Sequence, residues 1–276
     1  MAQQVLTRTQ EINQYTEASL WQKLQWNIQD TLIMTRRNIL HNIRIPQLLV
    51  FATIQPVMFL LLFAYVFGGA ITTSNGDYIN FLIPGIITQT VIFGATQTTI
   101  GLAEDMSRGM IDRFRSLPMA RAAVLAGRTL SDSIRNIFVV VLMITVGYII
   151  GFRFQGNVID AILMIGIVVL FGYAFTWISA LIGLLVKDPE TAQVAGFIWV
   201  FPLVFASSVF VPVETMPTWL QKFAENQPIT AVVNTARALT LDTPVGDWWW
   251  KALLWIALIL AVFMPLAVRQ YRKTTS

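Results

Sequence analysis

Apolar and polar positions are segregated along this chain in long blocks. Mostly apolar runs occupy 45–76, 78–103, 136–152, 161–186, 191–213 and 252–268, and nearly all charged residues fall between them. Each run approaches the ~20 residues that a helix needs to cross hydrocarbon. Backbone groups inside lipid must be paired within a helix or a closed barrel. Barrel strands alternate apolar and polar positions, whereas VVVLMITVGYII and LIGLLV are apolar on both faces. The pattern therefore predicts an all-α polytopic membrane protein, with residues 1–276 forming a single membrane domain of six spans.

The intervening segments carry shorter periods. In 18–44, Leu20, Trp21, Leu24, Ile28, Leu32, Thr35 and Ile39 fall near one helical face, with Lys23, Asp30, Arg36 and Arg37 elsewhere. Such a helix suits the headgroup layer, either as an anchor or as a contact for a partner. Lys187-Asp188-Pro189-Glu190 reads as a tight turn in which Asp188 caps span five and Pro189 takes its first position. The segment 214–247 is too long for a simple loop and too polar to span. Its apolar residues predict two short amphipathic helices broken at Pro228, followed by the belt Trp248-Trp249-Trp250.

Composition sharpens this picture. The chain is 55% hydrophobic and 12% charged, against about 25% charged in soluble domains. Of its 19 Lys and Arg residues, only Arg153, Lys222, Arg237 and Lys251 fall on the side opposite the termini. The excess near the termini and in the second and fourth loops predicts that both ends are cytoplasmic. No apolar core follows a basic start within the first 45 residues, so no cleavable signal peptide is expected. The absence of cysteine excludes disulfides and thiolate chemistry. The net charge of +4 follows membrane topology and does not point to nucleic acid.

The segment 104–131 holds more than topology requires. Glu104 and Asp105 close span two, Gly109 gives a break, and Met110 to Arg115 form a short mixed helix stopped by Ser116-Leu117-Pro118. A second helical run, Arg121 to Arg135, leads into span three. Span two carries Thr88, Gln89, Thr90, Thr96, Gln97, Thr98 and Thr99 in an apolar background. Such side chains either bond neighbouring helices or line a path for an amphiphile. Gly147 and Gly151 form a GxxxG that suggests close helix packing. In span five, Phe201, Phe205 and Phe210 recur at roughly helical intervals, which serves core packing or substrate contact equally.

Several chemistries are missing. No Gly precedes a Lys, so there is no phosphate-binding loop of the G-x-x-x-x-G-K-[ST] type. The six predicted spans have no ionisable residue in their interiors, which weighs against an ion-coupled carrier. His41 stands alone in an interfacial stretch, and no metalloprotease or nucleophile-elbow motif is present. Catalytic, cofactor-binding and metal-ligating residues are therefore not assigned.

Three stretches together resemble a known family: YINFLIPGIITQ, EDMSRGMIDRFRSLPMARAAVLAGR and FVPVETMPTWLQKFAENQPITAVVNTARAL, in this order between six spans. The chain is similar to ATP-binding-cassette type-2 permeases, in particular the daunorubicin-resistance-like drug-efflux branch. The resemblance implies a dimer of six-span subunits above two cytoplasmic ATPase subunits, which bind ATP and Mg. It makes 18–44 a connecting helix, 104–131 a coupling segment that docks in the ATPase, and 214–247 paired outer re-entrant helices. Carried onto this chain, the coupling positions are Glu104, Asp105, Arg108, Gly109, Asp112, Arg113, Arg115, Leu117 and Pro118, with Phe114 as an apolar anchor.

The expected activity is export of hydrophobic or amphiphilic drugs or lipids, without ATPase activity in this subunit. Gln89, Gln97, Phe201, Phe205 and Ser208 are the candidate substrate path, on spans expected near the dimer interface. The alternatives are an ion-coupled membrane carrier and a non-transporting scaffold that recruits a soluble partner.

Overall fold

The computed structural model describes residues 20–44, 46–67, 78–110, 121–186 and 188–274. They are mostly helical, and no strand occurs among them. In chain order the helices are α1 (Leu20–Arg44), α2 (Pro46–Leu62, continued by a π-helical turn Phe63–Phe67), α3 (Tyr78–Ser107), α4 (Arg121–Ile149) and α5 (Val158–Leu185). Then follow α6 (Pro189–Phe197), α7 (Val200–Phe205), α8 (Thr218–Asn226), α9 (Pro228–Thr240) and α10 (Trp248–Thr274).

Four of these, α3, α4, α5 and α10, are long and apolar enough to cross a membrane. The expected first and fifth spans correspond to shorter apolar helices, Thr53–Val66 and Pro189–Phe205. The second of these is interrupted at Ile198-Trp199, between α6 and α7. Pro202 accounts for the interruption, because it has no N–H to offer the Ile198 carbonyl and its ring crowds that group.

The bundle is built around α3. Its apolar window is 72% buried, against 22% for α10, so α3 is central and α10 peripheral. The Thr and Gln side chains of α3, which are costly to expose to lipid, are mostly enclosed by neighbouring helices. It packs against α5, α6, α4, α9 and α2. Small residues let these helices approach closely. A β-carbon on Gly183 of α5 would lie 2.6 Å from the Thr99 carbonyl oxygen, and one on Gly85 would lie 2.3 Å from that of Val209. The main core gathers Leu82, Ile86, Val91, Phe171, Phe175 and Val232, among others. A second cluster joins Leu102, Leu125, Trp177, Leu184, Ala267 and Tyr271 at the end of the bundle where α10 finishes.

Helix ends follow local chemistry. Asn157 caps α5: its side-chain oxygen accepts from Ile159 and Asp160 N–H at 2.8 and 3.0 Å, while its own N–H donates to the Asp160 carboxylate at 3.1 Å. Asp188 caps α6 by accepting from the Thr191 N–H at 2.7 Å, and Pro189 takes the first turn. The Gly147–Gly151 pair divides its work. Gly147 faces Ile83, whereas Gly151, at φ +111°, ends α4. Only the first glycine serves packing.

Helix α1 lies along α4. Met34 and Thr35 are buried there, and a β-carbon on Gly127 would meet the Met34 side chain at 2.5 Å. Trp21, Ile28 and Leu32 remain exposed, alongside exposed Gln25, Gln29, Arg36 and Arg37, so the outward surface of α1 is mixed.

Candidate functional site

The cytoplasmic-type charges of α3 and α4 meet in an ordered series. Glu104 and Asp105 sit on the last turns of α3, and Gly109 terminates that helix at φ +64°. Asp105 is ion-paired with Arg128 on α4. The Arg128 guanidinium occupies the space over Gly101, where any side chain on α3 would collide with it. Arg108 approaches Glu104 at 3.8 Å one helical turn away, an exposed pair worth little by itself.

Deeper in the bundle, Asp132 and Arg135 form a buried ion pair at 3.4 Å. Asp132 accepts from the Thr98 hydroxyl at 2.6 Å, and Arg135 donates to the Gly94 carbonyl at 2.8 Å. Each charge thus has a partner on α3 and one on α4, as a buried pair requires. These two residues lie just before the predicted span three, where sequence reasoning counts Arg135 only as a topology signal. Their i, i+3 spacing is the signal that pairs them.

Of the coupling positions, Glu104, Asp105, Arg108 and Gly109 stand together at the end of α3. Asp112, Arg113, Phe114, Arg115, Leu117 and Pro118 lie outside the described residues.

The substrate-path positions divide into two groups. Gln89 and Gln97, with Phe93 between them, follow one face of α3 and line a cavity of about 60 Å³. Gln55 and Phe59 of α2, Arg135 and Asn136 of α4, and Phe197 of α6 close it. Gln89 Oε1 and Asn136 Nδ2 are buried with no hydrogen-bond partner among the described residues. Gln55, Arg135 and Asn136 are the lining residues that sequence reasoning missed. From this cavity a string of phenyl rings runs along α6 and α7. Phe93 stacks on Phe201 at 5.9 Å, Phe201 on Phe205 at 4.9 Å, and Phe205 tilts against Phe210 at 5.1 Å. Phe201 and Phe205 are 45% and 43% exposed, so they present this string on the protomer surface.

Ser208 belongs elsewhere. Its hydroxyl donates to Asn234 Oδ1 at 2.9 Å, its N–H to the Thr230 hydroxyl at 3.2 Å, and its carbonyl accepts from Arg237 at 2.8 Å. Every polar group of Ser208 is thus tied to α9, and the residue fixes the chain after α7 rather than facing the glutamines.

An all-helical bundle with several membrane-length apolar helices, polar groups along its central helix and ion pairs at one end defines a multi-pass membrane protein. Residues 29–241 match the family model described as ABC-2 type transporter, and the chain belongs to that family. It is 34% identical over 229 residues to the daunorubicin resistance ABC transporter permease protein DrrB1 of Streptomyces coeruleorubidus, covering 83% of this chain and 81% of the relative. It is 28% identical over 253 residues to the probable doxorubicin resistance ABC transporter permease protein DrrC of Mycobacterium tuberculosis, covering 90% of each. A probable multidrug ABC transporter permease of Escherichia coli, YbhR, is 23% identical over 201 residues, 72% of this chain and 54% of the relative.

Proposed function

We propose that the chain is the membrane subunit of an ATP-driven exporter that moves hydrophobic or amphiphilic compounds, drugs or lipids, out of the cytoplasm or inner leaflet. The observation that carries this reading is the similarity, along four-fifths or more of the chain, to permeases named for daunorubicin and doxorubicin resistance. In this reading the chain lies in the cell's inner (plasma) membrane with both termini cytoplasmic. The two shorter apolar helices complete six spans, and a second permease copy or paralogue completes a dimer. Helices α8 and α9 act as the outer re-entrant pair.

Energy comes from two separate ATPase subunits that bind ATP and Mg, because this chain has no phosphate-binding loop. Residues 104–118 dock on them. The Asp105–Arg128 pair ties the end of α3 to α4, so a push on the docking segment moves both helices together. Apolar anchors such as Phe114 and Leu117 supply most of the docking energy and the surrounding charges its specificity.

The substrate meets Gln89 and Gln97 through its polar end and Phe201 and Phe205 through its apolar body. A cavity of about 60 Å³ is far below the roughly 300–1,000 Å³ of a drug-sized site. The protomer alone therefore offers only a polar foothold, and the remaining wall comes from the second copy across the exposed phenyl rings.

The test is co-purification from the native host in mild detergent, with ATP hydrolysis and transport assays on the recovered complex. The expected result is a stoichiometric ATPase subunit that is lost in Arg113→Glu/Arg115→Glu while the membrane subunit stays folded. Normal complex recovery and transport by that variant would overturn the coupling assignment. Transport abolished by an uncoupler but insensitive to ATP depletion would favour an ion-coupled carrier, and recruitment of a partner without transport would favour a scaffold.

A further inference from the structure

The largest of the described cavities, about 670 Å³, lies between α1 and the ends of α3 and α4, and its lining does not match a simple protein-docking groove. Arg36, Arg37, Arg44, Arg108 and Arg128 face it against Glu104, Asp105 and Asp132, five cations to three anions. The carboxylates are already committed: Glu104 to Arg108, Asp105 to Arg128, and Asp132 to Arg135 and Thr98. Arg36 and Arg44 have no ion-pair partner among the described residues. The unbalanced charge therefore sits on α1.

Behind the cavity wall lie polar groups that lack partners. The Ser131 hydroxyl is buried, with the residue 1% exposed, and has no hydrogen-bond partner among the described residues. Arg128 Nε, about one helical turn earlier, is likewise buried and unpaired, although the same guanidinium holds Asp105. The guanidinium charge that Arg36 and Arg44 present to this cavity, unmatched by its already paired carboxylates, points to an oxygen-rich anion.

The rim is apolar. Ile33 and Leu40 line the cavity and are 62% and 40% exposed, and Met110 lines it too. On α1 the positions 33, 36, 37, 40 and 44 follow one helical stripe, which alternates aliphatic side chains with arginines. Exposed Trp21, Ile28, Leu32 and Ile43 extend the apolar surface along the same helix, as in a helix bedded at a membrane surface.

We propose that this cavity binds the phosphate headgroup of an anionic phospholipid of the inner leaflet, with an acyl chain leaving over Ile33 and Leu40. Basic pockets between helices on the cytoplasmic side select such headgroups by charge. The site rests on the membrane orientation proposed above but not on the coupling or substrate assignments. A bound lipid would fasten α1, which already packs along α4, to the end of α3 as well.

The experiment uses the full chain extracted from vesicles of equal parts dioleoyl phosphatidylglycerol and dioleoyl phosphatidylcholine, with native mass spectrometry of the lipids retained. Phosphatidylglycerol should be retained in preference to phosphatidylcholine. Arg36→Gln and Arg44→Gln, both on exposed side chains, should each lower that retention about five-fold, the scale of one basic residue's attraction to an anionic surface. Lys222→Gln, in the outer segment, should leave it unchanged. Equal retention of both lipids, or retention unaffected by Arg36→Gln and Arg44→Gln, would overturn the proposal. Displacement of phosphatidylglycerol by soluble glycerophosphoglycerol would overturn the lipid assignment in favour of a site for soluble phosphate compounds.

Discussion

The guanidinium of Arg237 lies 3.5 Å from the centre of the Phe81 ring, and its Nε donates to the Phe81 carbonyl at 3.1 Å. One arginine on α9 thus grips both the face and the backbone of a residue on α3. Its other nitrogens donate to Asn234 Oδ1 and to the Ser208 carbonyl, each at 2.8 Å. The fork therefore joins α9, the start of α3 and the chain after α7. Arg237→Met would leave these acceptors open in a buried place, at a cost of roughly 3 kcal/mol. Arg237→Lys keeps the charge but cannot reach three acceptors at once, so it should recover only a minor part of the loss. Thermal unfolding of the detergent-solubilised protein measures both, and wild-type stability in Arg237→Met would remove this role.

Close helix packing makes a second prediction, in which two glycines of the same helix respond oppositely. On Gly183 a β-carbon would be forced to 2.6 Å from the Thr99 carbonyl and 3.0 Å from its Cα, whereas nothing lies within 4 Å of one on Gly166. Backbone cannot yield as a side chain can, so Gly183→Ala should destabilise by about 1–3 kcal/mol. Gly166→Ala should stabilise by up to about 1 kcal/mol through helix propensity. Equal effects in a thermal melt would contradict so close an approach of α3 and α5.

The two groups of substrate-path residues should separate experimentally. Gln97 is exposed on the path face of α3, so Gln97→Ala should alter which compounds are transported and leave the melting temperature unchanged. Ser208 is 1% exposed and fully bonded to α9. Ser208→Ala should lower stability by about 1 kcal/mol and weaken transport of all compounds in proportion. A change of substrate preference in Ser208→Ala would return that residue to the path.

The start of α6 should respond to acid. The Thr191 N–H and hydroxyl both donate to Asp188 and hold its carboxyl below the usual range. A depressed pKa means that the cap's contribution is complete above the carboxyl's unfolded value and fades as pH falls through the folded one. Hydrogen exchange at residues 190–193 should therefore be accelerated by Asp188→Ala at neutral pH. The protection factors of Asp188→Asn at neutral pH should lie close to wild type, because Asn also caps, and, unlike those of wild type, should not fall on acidification.

How far the sequence alone leads is clear from particular elements. The apolar runs place α3, α5 and α10, since a helix in lipid must be apolar whatever its neighbours. The break after span two is legible in Gly109, and the cap of α6 in Asp188-Pro189, because both depend on a few adjacent residues. Pro202 could have announced the interruption of the fifth apolar run, yet a proline inside a long apolar stretch does not say whether the helix bends or stops. Arg135 and Asn136 escaped as site residues because their partner surface is on α3, some 40 positions earlier in the chain.

The sequence by itself determined that this chain is a helical membrane protein, which side carries its excess of arginines, and which family it resembles. These follow from the cost of placing charge and unpaired backbone in hydrocarbon, a cost each segment meets alone. Only the tertiary structure decided that Gln89 and Gln97 share a cavity with Arg135 and Asn136 while Ser208 is tied to Arg237. It also showed that α3 is the enclosed helix and that α1 leaves Arg36 and Arg44 facing an open cavity. Those relations depend on which helix lies against which, and hydropathy carries no information about neighbours when every candidate face is equally apolar.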